Sequence, residues 1–475
     1  MIMVIVVSLS TSAFASADGD GAAFESGYGA STGAQHHEGR KGFFEHGKPK
    51  EVVKSEGGSL SVWSEFKELE AEGRSFAAAH LKLEENGFLL PAYPAFPHVL
   101  YAIEGSSYVG LMAPLGVPAT MTRISKGEVL SIPRGWVFWI CNHRPEGQEA
   151  ERFEEPRGVE NASSQSSSRT FEAVVLSGDP EHVFKTQDRF PLADAPRKHG
   201  AEGEETEVGG SILHGFSKDV LAAVWDVDES DVDKLLSSQS GRVIAKISKQ
   251  EHPGLWEEMV SKLWRLEVVD TFTSLAGRVL VHHHERHVEV AGAAALLGEF
   301  VYDLDHSSPV VSNAGGQMRA VNRKLLPALG KYGSDFAVAV VELKQSGMVA
   351  PGWCVNADEV VYVTKGSGRI QIANPDGTNG LDAHVQPGSL IVIPRLHASV
   401  KAASKNEGLE MISFTTSALP FWSDLAGHNS VLHNMPAVAV KEAFNIPEDV
   451  WEKFRSSSTA RYSIILPAPE FAKHE

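Results

Sequence analysis

The sequence has only two cysteines in 475 residues, Cys141 and Cys354. They fall in different halves of the chain, so a framework of disulfides is excluded and stability has to come from packing. After the N-terminus no apolar run approaches the roughly 18 residues that a membrane span needs, which predicts no membrane partner for the mature chain. Positive charge is scarce as well: 43 Lys and Arg stand against 61 Asp and Glu, a formal net charge of -18. That balance argues against nucleic acid or anionic lipid as non-specific partners, because both require clustered cations to neutralise phosphates. A Gly-x-x-x-x-Gly-Lys-Ser/Thr phosphate loop and a His-Glu-x-x-His helix are both missing.

What is present fits a globular protein, with 42% hydrophobic and 22% charged residues. The length exceeds one ordinary core and predicts two domains as the simplest count. Residues 1–17 join an apolar stretch, Ile2 to Leu9, to Ala13-Phe14-Ala15-Ser16-Ala17, which offers small-residue cleavage sites. The segment is expected to be a signal peptide, although a charged start is missing, and it directs the chain to the secretory pathway. Asn161-Ala162-Ser163 is then a candidate glycosylation acceptor. Residues 18–50 are rich in Gly, Ser, Ala and His and bury too little to offset chain entropy, so a flexible arm is expected there.

Two distant segments match at one constant offset of 261 residues. Val99, Tyr101, Gly105 and Ser106 correspond to Val360, Tyr362, Gly366 and Ser367, and Gly127, Ile132, Pro133 and Arg134 to Gly388, Ile393, Pro394 and Arg395. Self-similarity at one spacing marks a duplicated unit. In each copy alternate apolar residues run into a Gly turn, the pattern of a β-hairpin, followed by a second strand that stops at Pro. A further repeat follows each β unit: Trp225-Asp226-Val227, Glu229, Lys234 and Leu235 correspond to Phe444-Asn445-Ile446, Glu448, Lys453 and Phe454. Glu229 and Glu448 stand where acidic residues favour helix starts, and the apolar spacing afterward suits short amphipathic helices. The expected fold is all-β dominated, two β-barrels in tandem, each followed by a short helical segment, with domains at 51–240 and 301–470 and an insertion over 241–300.

The paired Tyr-x-x-x-Gly-Ser and Gly-x-x-x-x-x-Pro-Arg motifs resemble the two motifs of cupins, which implies jelly-roll barrels. Gly215-Phe216 with its downstream helix, Asn322 to Pro327, Pro351 to Tyr362, and Leu425-Ala426-Gly427 through Phe454 resemble segments of legumin-like, or 11S-type, seed globulins. The resemblance implies a nutrient reservoir laid down in a protein storage vacuole, or secreted outside the cell, and assembled as a homotrimer or hexamer. Trp225, Leu221, Phe444 and Trp451 would then lie at subunit contacts. The cleavage site that legumins carry is absent, because Val288 to Asp303 contains neither Asn nor Cys. Against storage, Asn and Gln are sparse, at twelve and ten.

The same resemblance locates the positions where metal-dependent cupins hold their ligands. In the first domain these are Pro91, Tyr93, His98 and Phe138, which leaves one usual ligand and predicts no metal. In the second they are Gly352, Cys354, Glu359 and Ser399. His397 precedes Ser399 by two residues and shares its face if that strand continues. Cys354, Glu359 and His397 are therefore the candidate zinc or iron ligands, set against a reading in which no cofactor is bound, Cys354 is a buried thiol, Glu359 is paired or exposed at the rim, and His397 hydrogen-bonds locally. His282, His283, His284 and His287, the densest histidine cluster, read as an exposed loop in the insertion. Three functions compete: a non-catalytic storage globulin, a metal-binding cupin enzyme, and a metal-free cupin holding a small apolar molecule among Phe138, Trp136 and Trp139.

Overall fold

The computed structural model describes residues 44–63, 76–114, 119–142, 169–178, 189–194, 210–241, 243–247, 300–427, 430–456 and 463–465. The expected signal peptide, most of the expected arm, Asn161 and His282 to His287 lie outside these residues.

The chain folds as two jelly-roll barrels, each a seven-stranded sheet facing a smaller one. In the first barrel the long sheet runs, in spatial order, Val301–Asp303, Glu128–Ile132, His98–Glu104, Phe171–Ser177, Ala77–Leu83, Gly58–Trp63 and Lys50–Ser55. The second repeats that order with Glu45–His46, Leu390–Ile393, Glu359–Gly366, Leu409–Thr415, Ala337–Leu343, Gly316–Val321 and Val311–Asn313. Both 261-residue matches therefore fall on neighbouring strands at the same place in each barrel. In each the Tyr strand pairs antiparallel with the strand that ends at the Pro-Arg turn.

The first strand of each long sheet comes from the other half of the chain. Val301 and Tyr302 pair with Leu130 and Val129 in the first barrel, and Glu45 and His46 pair with Ile391 and Leu390 in the second. Val301–Asp303, at the start of the expected second domain, thus pairs with the first barrel, and Ile244–Lys246, at the start of the expected insertion, pairs with Gly87 to Leu89 of the first barrel. The reason is the open edge of the long sheet, a row of backbone donors and acceptors that needs a partner strand. Periodicity within one half cannot show that the partner is borrowed from the other.

Both faces of the second long sheet are buried, which is why Glu359-Val-Val-Tyr-Val363 is nearly continuously apolar rather than alternating. Val338, Val340, Val360, Tyr362, Leu390, Val392, Ile412 and Phe414 belong to one core with the first barrel. Their odd-numbered neighbours Val341, Val361, Val363, Ile391, Ile393, Leu409 and Met411 form a separate core inside the second barrel. The Trp63 ring meets Tyr362 edge-on at 5.7 Å across the shared core. Tyr101, the repeat partner of Tyr362, donates its hydroxyl to Asp305 at 3.1 Å.

The helical repeat is as expected. Lys218–Trp225 ends on Asp226 at φ 55° and Ala437–Phe444 ends on Asn445 at φ 49°, both left-handed, and helices Glu229–Ser237 and Glu448–Ser456 begin on the two glutamates. Asp and Asn tolerate the left-handed cap better than larger residues do. Leu221 and Trp451, however, are buried within the chain rather than at its surface. Leu221 packs on Ala222 and Val232 between its own two helices.

The two Pro-Arg turns, closed at Trp136 and His397, also differ at the residue before the closing one. Gly135 takes φ 74° in the first, and Leu396 takes φ 68° at the matching position in the second. A Cβ in that conformation crowds the backbone by roughly 1 kcal/mol or more, and the Leu396 side chain is 60% exposed, so packing offsets little of that cost. Leu396→Gly should therefore raise stability by about 1 kcal/mol in urea unfolding; an unchanged or lower midpoint would show that the turn is not strained.

Candidate functional site

The interior of each barrel is where a cupin would place its chemistry, and the two interiors are built differently. In the first, His98 opens strand His98–Glu104 and is buried, with the Phe138 ring edge-on at 6.2 Å. Burial pushes its pKa down to about 4; a backbone hydrogen bond at Pro97 opposes this and the positive Arg189 adds to it. The ring is neutral at pH 7. Arg189 itself donates to the carbonyl of Leu90 at 2.5 Å and lies 3.8 Å from the buried carboxylate of Asp194.

In the second barrel, Glu359 opens the equivalent strand and is also buried. Its Oε1 accepts a hydrogen bond from the Ser413 hydroxyl at 2.5 Å, and its Oε2 pairs with Lys401 Nζ at 2.8 Å. Both members of the ion pair are nearly excluded from water, with side chains 7% and 4% exposed for Lys401 and Glu359. Lys401 reaches this place because Ala398–Ala403 alternates: Ser399, Lys401 and Ala403 are buried and their neighbours are not. The ammonium also lies 5.9 Å from the centre of the Trp422 ring, within range of a cation–π contact.

The three candidate ligands do not converge. Cys354 is buried with its Sγ 3.8 Å from Asn356 Oδ1. Burial raises the thiol pKa, and the charge of Glu359 adds to that against backbone hydrogen bonds at Asn356, Ala357 and Phe421. Glu359 is taken up by Lys401 and Ser413. His397 fails the condition set for it: Leu396 at φ 68° turns the backbone just before it, and the strand begins only at Ala398. Its ring lies edge-on to Phe44 at 5.9 Å, and its Nδ1 is 3.3 Å from the Arg395 carbonyl. Among the described residues no group of three or more His, Cys, Asp and Glu is placed to hold a metal ion.

The aromatic candidates separate in the same way. Trp136 is buried against Phe300 and Tyr332, at 4.9 and 5.4 Å, in the core between the barrels. Trp139 lies against Gly110, where an added Cβ would sit 2.0 Å from its ring, while Phe138 points the other way toward His98. Sequence reasoning missed Lys401, and its signal was a lysine at an inward position of an alternating strand.

Comparison with known proteins agrees with the duplicated architecture. The family model described as Cupin matches residues 44–176 and 302–450. An 11S globulin seed storage protein, Ana o 2.0101 of Anacardium occidentale, is 25% identical over 437 residues, spanning 86% of this chain and 88% of the relative. Legumin J of Pisum sativum is 26% identical over 418 residues, spanning 78% of this chain and 81% of the relative. Procruciferin, an 11S globulin from Brassica napus, superposes with a TM-score of 0.67 at 20% identity and covers 90% of this chain and 97% of that structure, a likeness of fold.

His98 has a consequence for acid stability. Its folded pKa of about 4 lies below the unfolded value of 6.5, so the unfolded chain takes up a proton first as pH falls. Its contribution is fully present above about pH 6.5 and is lost as pH drops toward 4, by roughly 3 kcal/mol at most. His98→Gln should flatten the stability profile across that window in urea titrations at stepped pH; a profile as steep as the parent's would show that His98 is not its source.

Proposed function

Because this chain belongs to the cupin family and runs beside seed storage globulins over most of their length, we propose that it is itself a storage globulin, a non-catalytic bicupin. One observation carries the reading: in the second barrel, where candidate ligands were most numerous, the carboxylate is already bonded to Lys401 and Ser413. A nutrient reservoir needs compact packing and eventual proteolysis, and both barrels supply packing. The chain enters the secretory pathway, is deposited in a storage vacuole or outside the cell, and stays a single uncleaved chain, since Val288 to Asp303 offers neither Asn nor Cys.

Assembly goes through the helical modules. Trp225, 43% exposed, and Phe444, 59% exposed, occupy matching positions after the two barrels, and Val224 and Phe454 extend the apolar surface at 69% and 60% exposure. Two pseudo-equivalent apolar modules on one chain suit a closed ring in which each module meets the other kind on the next subunit. Several large apolar residues left exposed on each short module suit an interaction site.

Two measurements test this reading. Sedimentation should give three or six times the chain mass, and Trp225→Asp with Phe444→Asp should reduce it to one; a monomeric parent at micromolar concentration would refute ring assembly. Quantitative proteomics of the source tissue should show accumulation before dormancy and loss when growth resumes, whereas constant low abundance would remove the storage role.

A further inference from the structure

The second barrel departs from a metal site in a concerted way. The 261-residue correspondence sets Glu359 against His98 and Lys401 against Ile140. Strand pairing sets Ser413, partner of Val361, against Val175, partner of Leu100. The first barrel thus places a neutral imidazole and two apolar side chains where the second places a carboxylate, an ammonium and a hydroxyl that bond to one another.

Each member of the charged set would be costly alone, because a buried ion without a partner loses its hydration and gains nothing in return. Together they are satisfied: one carboxylate oxygen takes the ammonium at 2.8 Å, the other takes the hydroxyl at 2.5 Å, and the Trp422 ring lies 5.9 Å from the same ammonium. A divalent cation approaching Glu359 would have to displace a bonded positive charge.

We propose that Lys401 is a built-in counter-cation that takes the place of the metal ion in the second barrel, neutralising Glu359 and closing that position to divalent metals. Two barrels of one chain thereby dispense with a metal by different routes, one by apolar replacement and the other by an internal ion pair.

The test uses the full chain. After incubation with Zn²⁺ or Co²⁺ and gel filtration, the parent protein should retain well under one equivalent; about one equivalent, lost in Glu359→Gln, would overturn the proposal. In urea unfolding, Lys401→Met and Glu359→Gln should each shift the unfolding equilibrium by about a hundredfold or more toward the unfolded state. The double variant should recover most of that loss, since it removes both charges together. Additive losses would show that the two groups are not coupled and would equally overturn it. If Lys401→Met alone fails to fold, folding of the double variant supports the coupling, and its failure alongside a folded Lys401→Ala refutes it.

Discussion

Each seven-stranded sheet has two faces to bury, and the rest of the molecule follows from how that is met. One face closes over the interior of its own barrel, and the other joins a core shared by both barrels, in which Tyr362, Phe414 and Leu390 lie with Trp63, Tyr101 and Trp136. At roughly 1.5–3 kcal/mol for each fully buried large apolar side chain, this shared face is too large to leave in water. The barrels are therefore parts of one packed unit. The exchanged edge strands strengthen the same dependence, because each barrel completes its long sheet with backbone from the other half.

Fixing the outer faces leaves the interiors free to diverge. A buried ion pair is seldom more stabilising than apolar residues of the same shape, yet it is hard to lose one charge at a time. Glu359, Lys401 and Ser413 are in that position: any single apolar replacement would strand the others. His98 shows the alternative, a group that remains polar but gives up its charge under burial. Among the described residues no group of three or more His, Cys, Asp and Glu is placed to hold a metal ion.

The helical modules have the opposite character. Their inner residues, Leu221, Val232, Val440 and Trp451, are buried within the chain, while Trp225, Phe444 and Phe454 are left facing outward. A short two-helix unit has one small apolar stripe of its own, so a second apolar face at matching positions on both modules is surplus to the fold of a single chain.

The sequence by itself determined the duplication, the β character of each unit, the turn motifs and the helix starts at Glu229 and Glu448, because these depend on local periodicity and on backbone preferences of single residues. It also marked Cys354, Glu359 and His397 as chemically capable. Only the tertiary structure decided their fate. Leu396 turns the backbone just before His397 and the strand begins only at Ala398, while Lys401 meets Glu359 because two strands apart in sequence are neighbours across the barrel. Which strand completes which sheet was equally out of reach, since an open edge accepts any extended segment and the choice is made by the long-range packing of the two halves.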